Sequence, residues 1–484
     1  MTEADLAPHF ARLVDEPICD AFADRRAVLP WRSKKPLPAG EVSATWASLM
    51  SGHRSSEDRL AYIHVPFCAN HCLFCGFYRN AYTQHATSSY ADLLIEEIEH
   101  EAAAETIRNR PVAAVYLGGG TPSALSATEL SRILRTIRRC LPLAPDCEIT
   151  IEGRIIHFDT EKIDAALEAG VNRISIGVQS FDTDVRRRQG RRASREEAIR
   201  FLEAIRDRDR AALVIDLLYG LPGQADHVWR EDLRIATDIA PDGIDLYGLN
   251  LIPGTPLHKA VGSGKFQNIA ALREIGRMYR TGVETLAAEG WIQISNSHWA
   301  RTPRERNVYN LRIKEGADCL AYGSGAGGLL GKYSYSVAPD LDAYRDAVLS
   351  GRKPLFGMLA SDSLQPARNA ITAGLEVGRL DLERIAVHLG GKLNPAIAPL
   401  LDQWRSAGLV SIDGPIVSLT TAGRFWYSNL VSAFDAILAG AAPARSANGT
   451  PDPSGIQNIS RGHYAHHDPS KHRDGPRSRP HRTR

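Results

Sequence analysis

Between residues 60 and 297, short apolar runs alternate with longer stretches in which apolar residues recur at helical spacing. Strands that alternate with amphipathic helices wind into a parallel sheet. The six runs predicted as strands are LAYIHV (60–65), VAAVYLGGG (112–120), CEITIE (147–152), RISIGV (173–178), AALVIDLLYG (211–220) and GIDLYGLNL (243–251). The helices are predicted near Ser88–Ile107, Thr128–Cys140, Thr160–Ala169, Arg195–Asp207, Ala225–Ile239 and Ile269–Glu289. The pattern therefore predicts an α/β fold, either a partial barrel or an open sheet, with its chemistry at the C-terminal ends of the strands.

The pattern changes on both sides of these units and divides the chain into five segments. They are an N-terminal arm (1–57), the α/β domain (58–330), a connecting segment (331–364), a helical domain (365–432) and a tail (441–484). In the helical domain, Asp413-Gly414 separates two short strands as in a hairpin, which resembles a winged helix. DNA binding is not expected, because no helix there concentrates basic residues. The tail is rich in Ala, Pro, Ser, Gly, His and Arg without periodicity, which is typical of disorder.

Composition and charge exclude several classes of protein. The chain has 484 residues, of which 43% are hydrophobic and 24% charged, and its net charge is +2. No apolar run approaches the roughly 18 residues of a membrane helix, and the first residues lack the pattern of a signal peptide. We therefore expect a cytoplasmic protein without a membrane span and without a nucleic-acid partner.

Three of the seven cysteines carry the strongest chemical signal in the sequence. Cys68, Cys72 and Cys75 form a C-x3-C-x2-C loop directly after the first predicted strand. A structural zinc site normally has four protein ligands, which only His64 or His71 could complete here. A [4Fe-4S] cluster that only carries electrons uses four cysteines, so three cysteines leave one iron open to a ligand.

The segment YIHVPFCANHCLFC resembles the cysteine loop of the radical S-adenosylmethionine (radical SAM) superfamily. The resemblance implies a partial (β/α)6 radical SAM barrel and a [4Fe-4S] cluster bound by Cys68, Cys72 and Cys75. It also implies that SAM binds the fourth iron and is cleaved after one electron is transferred from the cluster.

Groups suited to SAM follow the other predicted strands. The turn Gly118-Gly119-Gly120-Thr121-Pro122 allows close backbone approach to a zwitterion, although a tight turn alone would also use these residues. Glu152, Gln179 and Asp216 lie at or near strand ends, and Arg191 could hold a carboxylate; internal ion pairs are the alternative for each. The resemblance adds Tyr62 and Phe74 to the SAM and cluster pocket. The candidate cofactor-binding residues are Tyr62, Phe74, Gly119, Gly120, Thr121, Glu152, Gln179, Arg191 and Asp216.

Further motifs narrow the resemblance to the coproporphyrinogen dehydrogenase branch of the superfamily, over roughly residues 57–432. These motifs are HVPFC, GGGTP, RISIGVQSF and DLLYGLPGQ. The dehydrogenases carry another cysteine two residues after the third ligand, where this chain has Phe77. The segments CGFYRN, IEGR and SHWARTPRERNVYN instead resemble haem-utilisation radical SAM proteins of the anaerobilin-synthase type. This resemblance implies methyl transfer to haem, opening of the porphyrin ring and release of iron. Oxygen-independent coproporphyrinogen III dehydrogenation and a non-catalytic haem chaperone are the alternatives.

A haem substrate suggests further candidates. Arg301, Arg304 and Arg306 could contact the propionates, and His298 and His157 could be iron ligands or catalytic proton donors. The glycine run from Gly323 to Gly328 could form a second SAM site or a turn beside the first one. The cluster also requires a low-potential electron donor such as flavodoxin or a reduced flavin. The tail contains histidines that could bind a metal or haem weakly, although a solvated extension is the simpler interpretation: His463, His466, His467, His472 and His481.

Overall fold

A 13-stranded sheet organises the protein, in a computed structural model that describes residues 3–28, 32–52, 59–266 and 269–440. Its strand order is β1-β15-β14-β13-β12-β2-β5-β6-β7-β8-β9-β11-β10. The strands are β1 (Lys35–Pro36), β2 (Arg59–Val65), β3 (Phe67–Cys68), β4 (Asn80–Ala81), β5 (Val112–Gly119), β6 (Leu143–Gly153), β7 (Arg173–Gln179), β8 (Ala212–Tyr219), β9 (Gly243–Gly248), β10 (Ile292–Gln293), β11 (His298–Ala300), β12 (Asp318–Tyr322), β13 (Gly327–Leu330), β14 (Tyr333–Val337), β15 (Leu355–Ala360), β16 (Arg379–Asp381), β17 (Val410–Asp413) and β18 (Ile416–Leu419).

The centre of the sheet is parallel. From β12 through β2, β5, β6, β7, β8 and β9, every neighbouring pair of strands runs in the same direction. These strands are buried over most of their length, and helices α4, α9, α10, α12 and α13 contact them. All six predicted strands are confirmed, and with them the α/β class. The short strand β12 joins them outside β2, and the sheet stays open.

Helices follow these strands and cover the sheet. The helices are α1 (Glu3–Leu6), α2 (Pro17–Asp20), α3 (Ala39–Met50), α4 (Gln84–Glu101), α5 (Glu105–Arg108), α6 (Ala127–Cys140), α7 (Thr160–Glu168), α8 (Thr183–Arg188), α9 (Arg195–Arg206), α10 (Asp226–Ile239), α11 (Pro256–Gly262), α12 (Leu272–Ala288), α13 (Val308–Glu315), α14 (Leu341–Leu349), α15 (Gln365–Val377), α16 (Leu382–His388), α17 (Ile397–Ser406), α18 (Thr421–Phe425) and α19 (Tyr427–Ala439). Short 3-10 turns lie at Ala7–His9 and Pro122–Ala124.

The helix bounds follow from local capping. Ser126 and Ser194 begin α6 and α9 with capping boxes, in which the serine side chain accepts from the third backbone N–H of the helix. The helix predicted over Ser88–Ile107 is two helices, because Ala104 has extended backbone between α4 and α5.

Antiparallel strands extend the sheet at both sides. On one side, β11 pairs with β9 and β10; on the other, β13, β14, β15 and β1 follow β12. The stretch 331–364, expected to be a connecting segment, supplies β14, α14 and β15 to this extension. β13 and β14 form an antiparallel hairpin, which needs only a tight turn, whereas α14 lies between β14 and β15.

The C-terminal region contains α15 to α19 and a three-stranded sheet in the order β16-β18-β17. Asp413 pairs with Ile416, so the predicted hairpin is present, with Gly414 in its turn at φ 55°.

The N-terminal arm lies against both the main sheet and the C-terminal region. The indole Nε1 of Trp404 donates to the His9 carbonyl at 3.0 Å, and that of Trp426 to the Pro17 carbonyl at 2.9 Å. On the other side, Glu16 pairs with Arg273 of α12 at 2.6 Å. The arm therefore ties the C-terminal region to the α/β domain.

Among the described helices, none combines the length and the apolar character that crossing a bilayer requires. The predicted tail, with its five histidines, lies outside the described residues.

Candidate functional site

A cavity of about 560 Å³ lies at the C-terminal ends of the parallel strands. It is lined by the cysteine loop and by residues that follow or end β5, β6, β7, β8 and β9. Of the predicted site residues, the cavity brings together Cys68, Cys72, Cys75, Phe74, Gly120, Thr121, Glu152, Gln179, Arg191 and Asp216.

Each of the three cysteine sulfurs has a hydrogen-bond partner in its surroundings. Cys68 Sγ lies 3.3 Å from the Thr121 hydroxyl, and Cys75 Sγ accepts from the Phe77 backbone N–H at 3.3 Å. Cys72 Sγ accepts from the Arg154 guanidinium at 3.4 Å. Donors of this kind stabilise negative charge on a thiolate.

The environment of these thiols fits an iron–sulfur cluster. Burial raises the pKa of Cys68 to about 11 and also raises that of Cys75, so each thiolate needs a nearby cation. In the described parts of the chain, no three His, Cys, Asp or Glu side chains are arranged around a single metal ion. A [4Fe-4S] cluster suits three thiolates better than one zinc ion does, because structural zinc normally takes four protein ligands, whereas in a cluster each thiolate would bind a different iron.

The glycine turn after β5 packs directly against the cysteine loop. The Gly120 N–H donates to the Val65 carbonyl at 2.8 Å, and a Cβ at residue 120 would lie 2.7 Å from the Phe67 carbonyl oxygen. Only glycine allows this approach of two backbones. Gly119 does not line the cavity; its N–H donates to the Glu152 carboxylate at 3.2 Å.

Two half-buried carboxylates line the cavity. Glu152 accepts from the Tyr116 hydroxyl at 2.7 Å, and Asp216 accepts from the Ser175 hydroxyl at 3.3 Å. Burial raises the pKa of Glu152; burial, followed by the charges of Asp245 and Glu152, raises that of Asp216 to about 7. A cationic ligand would relieve this accumulation of negative charge.

Arg191 and Gln179 also line the cavity. The Arg191 guanidinium donates to the Gly177 carbonyl and lies 5.7 Å from the Phe74 ring centroid. Gln179 has φ 74°, at a point where the register between β7 and β8 shifts. This irregularity changes the direction of the chain at the end of β7 and places the Gln179 side chain at the cavity.

Tyr62, which the resemblance assigned to the pocket, does not line the cavity. Its ring stacks on the Tyr116 ring at 6.3 Å and is tilted against the Tyr309 ring at 6.2 Å, and its hydroxyl lies 3.2 Å from His64 Nδ1. It supports the ring of Tyr116, whose hydroxyl binds Glu152.

The structure corrects the interpretation of His298 as a haem-iron ligand. His298 is fully buried on β11, with Nδ1 3.0 Å from Asp245 and Nε2 3.1 Å from Glu305. These carboxylates raise the pKa of His298 to about 9 despite its burial. Because both nitrogens are held by carboxylates, neither can reach a ligand in the cavity.

The arginines proposed to contact propionates lie at the wrong end of the sheet. Because β11 runs antiparallel to β9, the chain after Ala300 emerges at the N-terminal ends of the parallel strands. There Arg304 pairs with Asp209, Arg306 pairs with Asp146 at 3.0 Å, and Arg301 donates to the Pro241 carbonyl at 3.0 Å.

Neither the other candidate histidine nor the second glycine run lines the cavity. His157 is exposed at φ 78°, and its carbonyl accepts from Lys162 at 2.9 Å. Gly323 has φ 95° and donates to Glu97 at 2.8 Å, while a Cβ there would lie 2.5 Å from the His64 carbonyl oxygen. The run is therefore a tight turn beside the end of β2.

Several cavity residues were missed by the sequence analysis. They are Asn70, Tyr78, Arg154, Ser175, Tyr247 and Asn250. Strand alternation could have identified Tyr247, which lies two residues after Asp245 on a predicted strand. Arg154 carries no such signal, because its contact with Cys72 depends on the loop conformation.

A parallel α/β sheet with three cysteines and SAM-suited groups at its C-terminal edge defines a radical SAM class of site. The family model for the radical SAM superfamily matches residues 62–236. Anaerobilin synthase of Escherichia coli O157:H7 is 46% identical over 435 residues, which cover 90% of this chain and 96% of that protein. The heme chaperone HemW of Escherichia coli K12 is 32% identical over 55% of this chain and 69% of that protein.

Among solved structures, coproporphyrinogen III oxidase (HemN) from Escherichia coli matches with a TM-score of 0.70. It is 25% identical and the match covers 81% of this chain and 93% of that one. The chain belongs to the radical SAM superfamily, in the branch that contains anaerobilin synthase and coproporphyrinogen III oxidase. Its cofactors are accordingly a [4Fe-4S] cluster and SAM.

Proposed function

We propose that this protein is a radical SAM enzyme that degrades haem without oxygen, by methyl transfer from SAM, opening of the porphyrin ring and release of iron. The observation that carries the proposal is the 46% identity to anaerobilin synthase, which extends over 96% of that protein. The match covers 90% of this chain, so it extends well beyond the cysteine loop and the cavity.

The cavity has walls suited to an apolar macrocycle. Phe77 and Tyr247 line it and are 49% and 41% exposed, which is unusual for large apolar rings. Leu249 and Ile252 also line this side of the cavity, and exposed Leu251 lies between them in the chain. A haem disc needs such apolar surface, with polar groups only where its propionates lie. Phe77 also stands at the position of the additional cysteine of the coproporphyrinogen dehydrogenases.

Different side chains around the cavity would bind the cluster and SAM. Cys68, Cys72 and Cys75 would bind three irons of the cluster. The planar guanidinium of Arg191 suits the SAM carboxylate, whereas Glu152 and Asp216 suit its cationic groups. When bound, the cluster and SAM supply a methyl group and a 5′-deoxyadenosyl radical. Apolar residues such as Phe74 and Leu218 limit the access of water to this space.

The proposal includes a reductant and a location. A low-potential donor such as flavodoxin or a reduced flavin would supply the electron, because SAM cleavage requires a reduced cluster. We place the reaction in the cytoplasm.

The test is an anaerobic assay with the reconstituted protein, reductant, SAM and haem, in which the Soret band, 5′-deoxyadenosine and S-adenosylhomocysteine are followed. We expect SAM-dependent loss of the Soret band that requires Cys72. Cys72→Ala should abolish turnover, whereas Cys147→Ala, at another buried cysteine that does not line the cavity, should retain it. Haem bound without SAM products would favour a chaperone, and turnover of coproporphyrinogen III in its place would favour the dehydrogenase.

A further inference from the structure

A second, polar chamber of about 220 Å³ lies beside the large cavity. The two share Tyr247, Gly248 and Asn250, so the end of β9 separates them. The chamber lies where three parts of the chain meet. Arg25 comes from the N-terminal arm, Arg424 comes from the C-terminal region, and Tyr247 comes from β9 of the α/β domain.

The acidic groups of the chamber already have cationic partners. Asp245 lies 3.0 Å from His298, and Glu376 lies 2.5 Å from Lys314. Within the described parts of the chain, Arg25 and Arg424 form no ion pair with a carboxylate. Among the described residues of the chamber, these two guanidinium groups therefore have no carboxylate at ion-pair distance, although Glu376 is near Arg424.

Neutral groups hold these two arginines in place. The Arg25 guanidinium lies 4.7 Å from the Phe425 ring centroid and bonds the Tyr219 hydroxyl, while its buried Nε has no hydrogen-bond partner among the residues that the structure describes. Arg424 donates to the Asn296 side-chain oxygen at 3.2 Å and to the Val377 carbonyl at 3.1 Å. Guanidinium groups positioned in this way, with N–H groups to spare, suit carboxylates.

We propose that this chamber binds the carboxylate arms of the tetrapyrrole, with Arg25 and Arg424 as their cationic partners and the macrocycle in the large cavity beyond Tyr247. The inference rests on the proposed function. A volume of 220 Å³ is smaller than the roughly 300 Å³ at which pockets for whole organic ligands begin, but it is large enough for a carboxylate arm. Arg25 and Arg424 thus take the role that the sequence analysis assigned to Arg301, Arg304 and Arg306.

The experiment compares haem with haem dimethyl ester, in which both carboxylates are masked, by Soret titration of the full-length protein. We expect the unaltered protein to bind haem at least about tenfold more tightly than the ester. Arg25→Met and Arg424→Met should each weaken haem binding about tenfold and leave ester binding unchanged. Arg304→Met is the matched control, because this arginine lies at the opposite end of the sheet and should affect neither ligand.

Thermal unfolding shows whether each variant is folded. If Arg25→Met does not fold, Arg25→Lys, which retains the charge, should keep most of the preference for haem over the ester. Equal affinity of the unaltered protein for haem and the ester would overturn the chamber assignment and leave haem degradation standing. Binding of neither compound would overturn both proposals, and unchanged haem affinity in folded Arg25→Met and Arg424→Met would overturn the chamber alone.

Discussion

At the residue scale, a series of neighbouring charged side chains runs from buried Arg173 to Asp216 at the cavity. Arg173 Nε lies 2.9 Å from Glu305, which lies 3.1 Å from His298, and His298 in turn contacts Asp245. Asp245 and Asp216 are register partners on β9 and β8. Asp216 ends the series at the cavity, where its register partner is another carboxylate, Asp245. Burial, and then the charges of Asp245 and Glu152, raise the pKa of Asp216 to about 7, and a bound cation there would favour its ionised form.

The first prediction concerns the stability contributed by His298. His298→Gln should lower the free energy of unfolding at pH 6 by about 3 to 5 kcal/mol, because it leaves buried Asp245 and Glu305 without their shared cation. The pKa of His298 is raised to about 9 in the folded protein, so its contribution is complete below about pH 6.5 and disappears as the pH rises through 9. Denaturant unfolding of both proteins from pH 6 to 10 measures this difference.

His157→Gln is the control, since this histidine is exposed and should leave stability unchanged. The Soret maximum of bound haem should be the same in His298→Gln as in the unaltered protein. A shifted Soret maximum would restore His298 as an iron ligand, and a pH-independent stability difference would contradict the assigned ion pairs.

The second prediction concerns Arg154, which donates to Cys72 Sγ. Arg154→Met should make the reduction potential of the cluster more negative, because the reduced cluster carries more negative charge and loses a cationic donor. A redox titration followed by electron paramagnetic resonance measures the potential at equal iron content. Arg306→Met, at the other end of the sheet, should leave the potential unchanged; an unchanged potential in Arg154→Met would show that this contact is unimportant.

At the scale of elements, the sequence predicted the six central strands because each combines an apolar run with a clear boundary. The cysteine loop and the polar residues at the strand ends could be located from their order alone. The position of Arg301, Arg304 and Arg306 at the N-terminal ends of the strands could not be predicted, because it depends on the antiparallel pairing of β11 with β9. A run of three residues gives no periodicity from which that pairing could be predicted. Strands β14 and β15 were not predicted either, because they are short and flank α14 in the stretch that was expected to be a connecting segment.

The third prediction tests the contact between the glycine turn and the cysteine loop. Gly120→Ala should reduce both iron content and SAM binding, because its Cβ would lie within 2.9 Å of three backbone atoms of Val65 and Phe67. Overpacking of this kind costs about 1 to 3 kcal/mol. Iron analysis after reconstitution and equilibrium binding of SAM provide the measurement. Gly262→Ala is the control, since a Cβ there meets no atom within 4 Å; full SAM affinity in Gly120→Ala would mean that the loop adapts.

At the scale of the whole molecule, the N-terminal arm holds the two larger parts of the chain together. Asn429 of α19 is 3% exposed; it donates to the Asp24 carbonyl at 2.9 Å and accepts from the Arg26 N–H at 3.0 Å. These two bonds fix the backbone on either side of Arg25. The site therefore depends on contacts well outside its own lining.

The fourth prediction follows from this arrangement. Asn429→Ala should destabilise the protein by about 1 to 3 kcal/mol, because two backbone groups lose their partner. It should also make the bonds after Arg25 and Arg26 more sensitive to trypsin and weaken haem binding in the same direction as Arg25→Met. Ser406→Ala, whose hydroxyl bonds only within its own exposed helix turn, serves as the control. Unchanged proteolysis would show that the arm is held elsewhere.

The bonds between the arm and α19 join residues that are 403 and 405 positions apart in the chain. During synthesis on the ribosome, Arg25 is made early, whereas Asn429 and Arg424 are among the last described residues to leave the exit tunnel. The α/β domain can fold before then, because its β–α units form contacts between near neighbours in the sequence. A nascent or prematurely terminated chain would therefore have a folded cysteine loop but would lack Arg424 and the other C-terminal residues that line the chamber. If the proposed chamber assignment is correct, binding of the carboxylate arms is completed only when these C-terminal residues have been made.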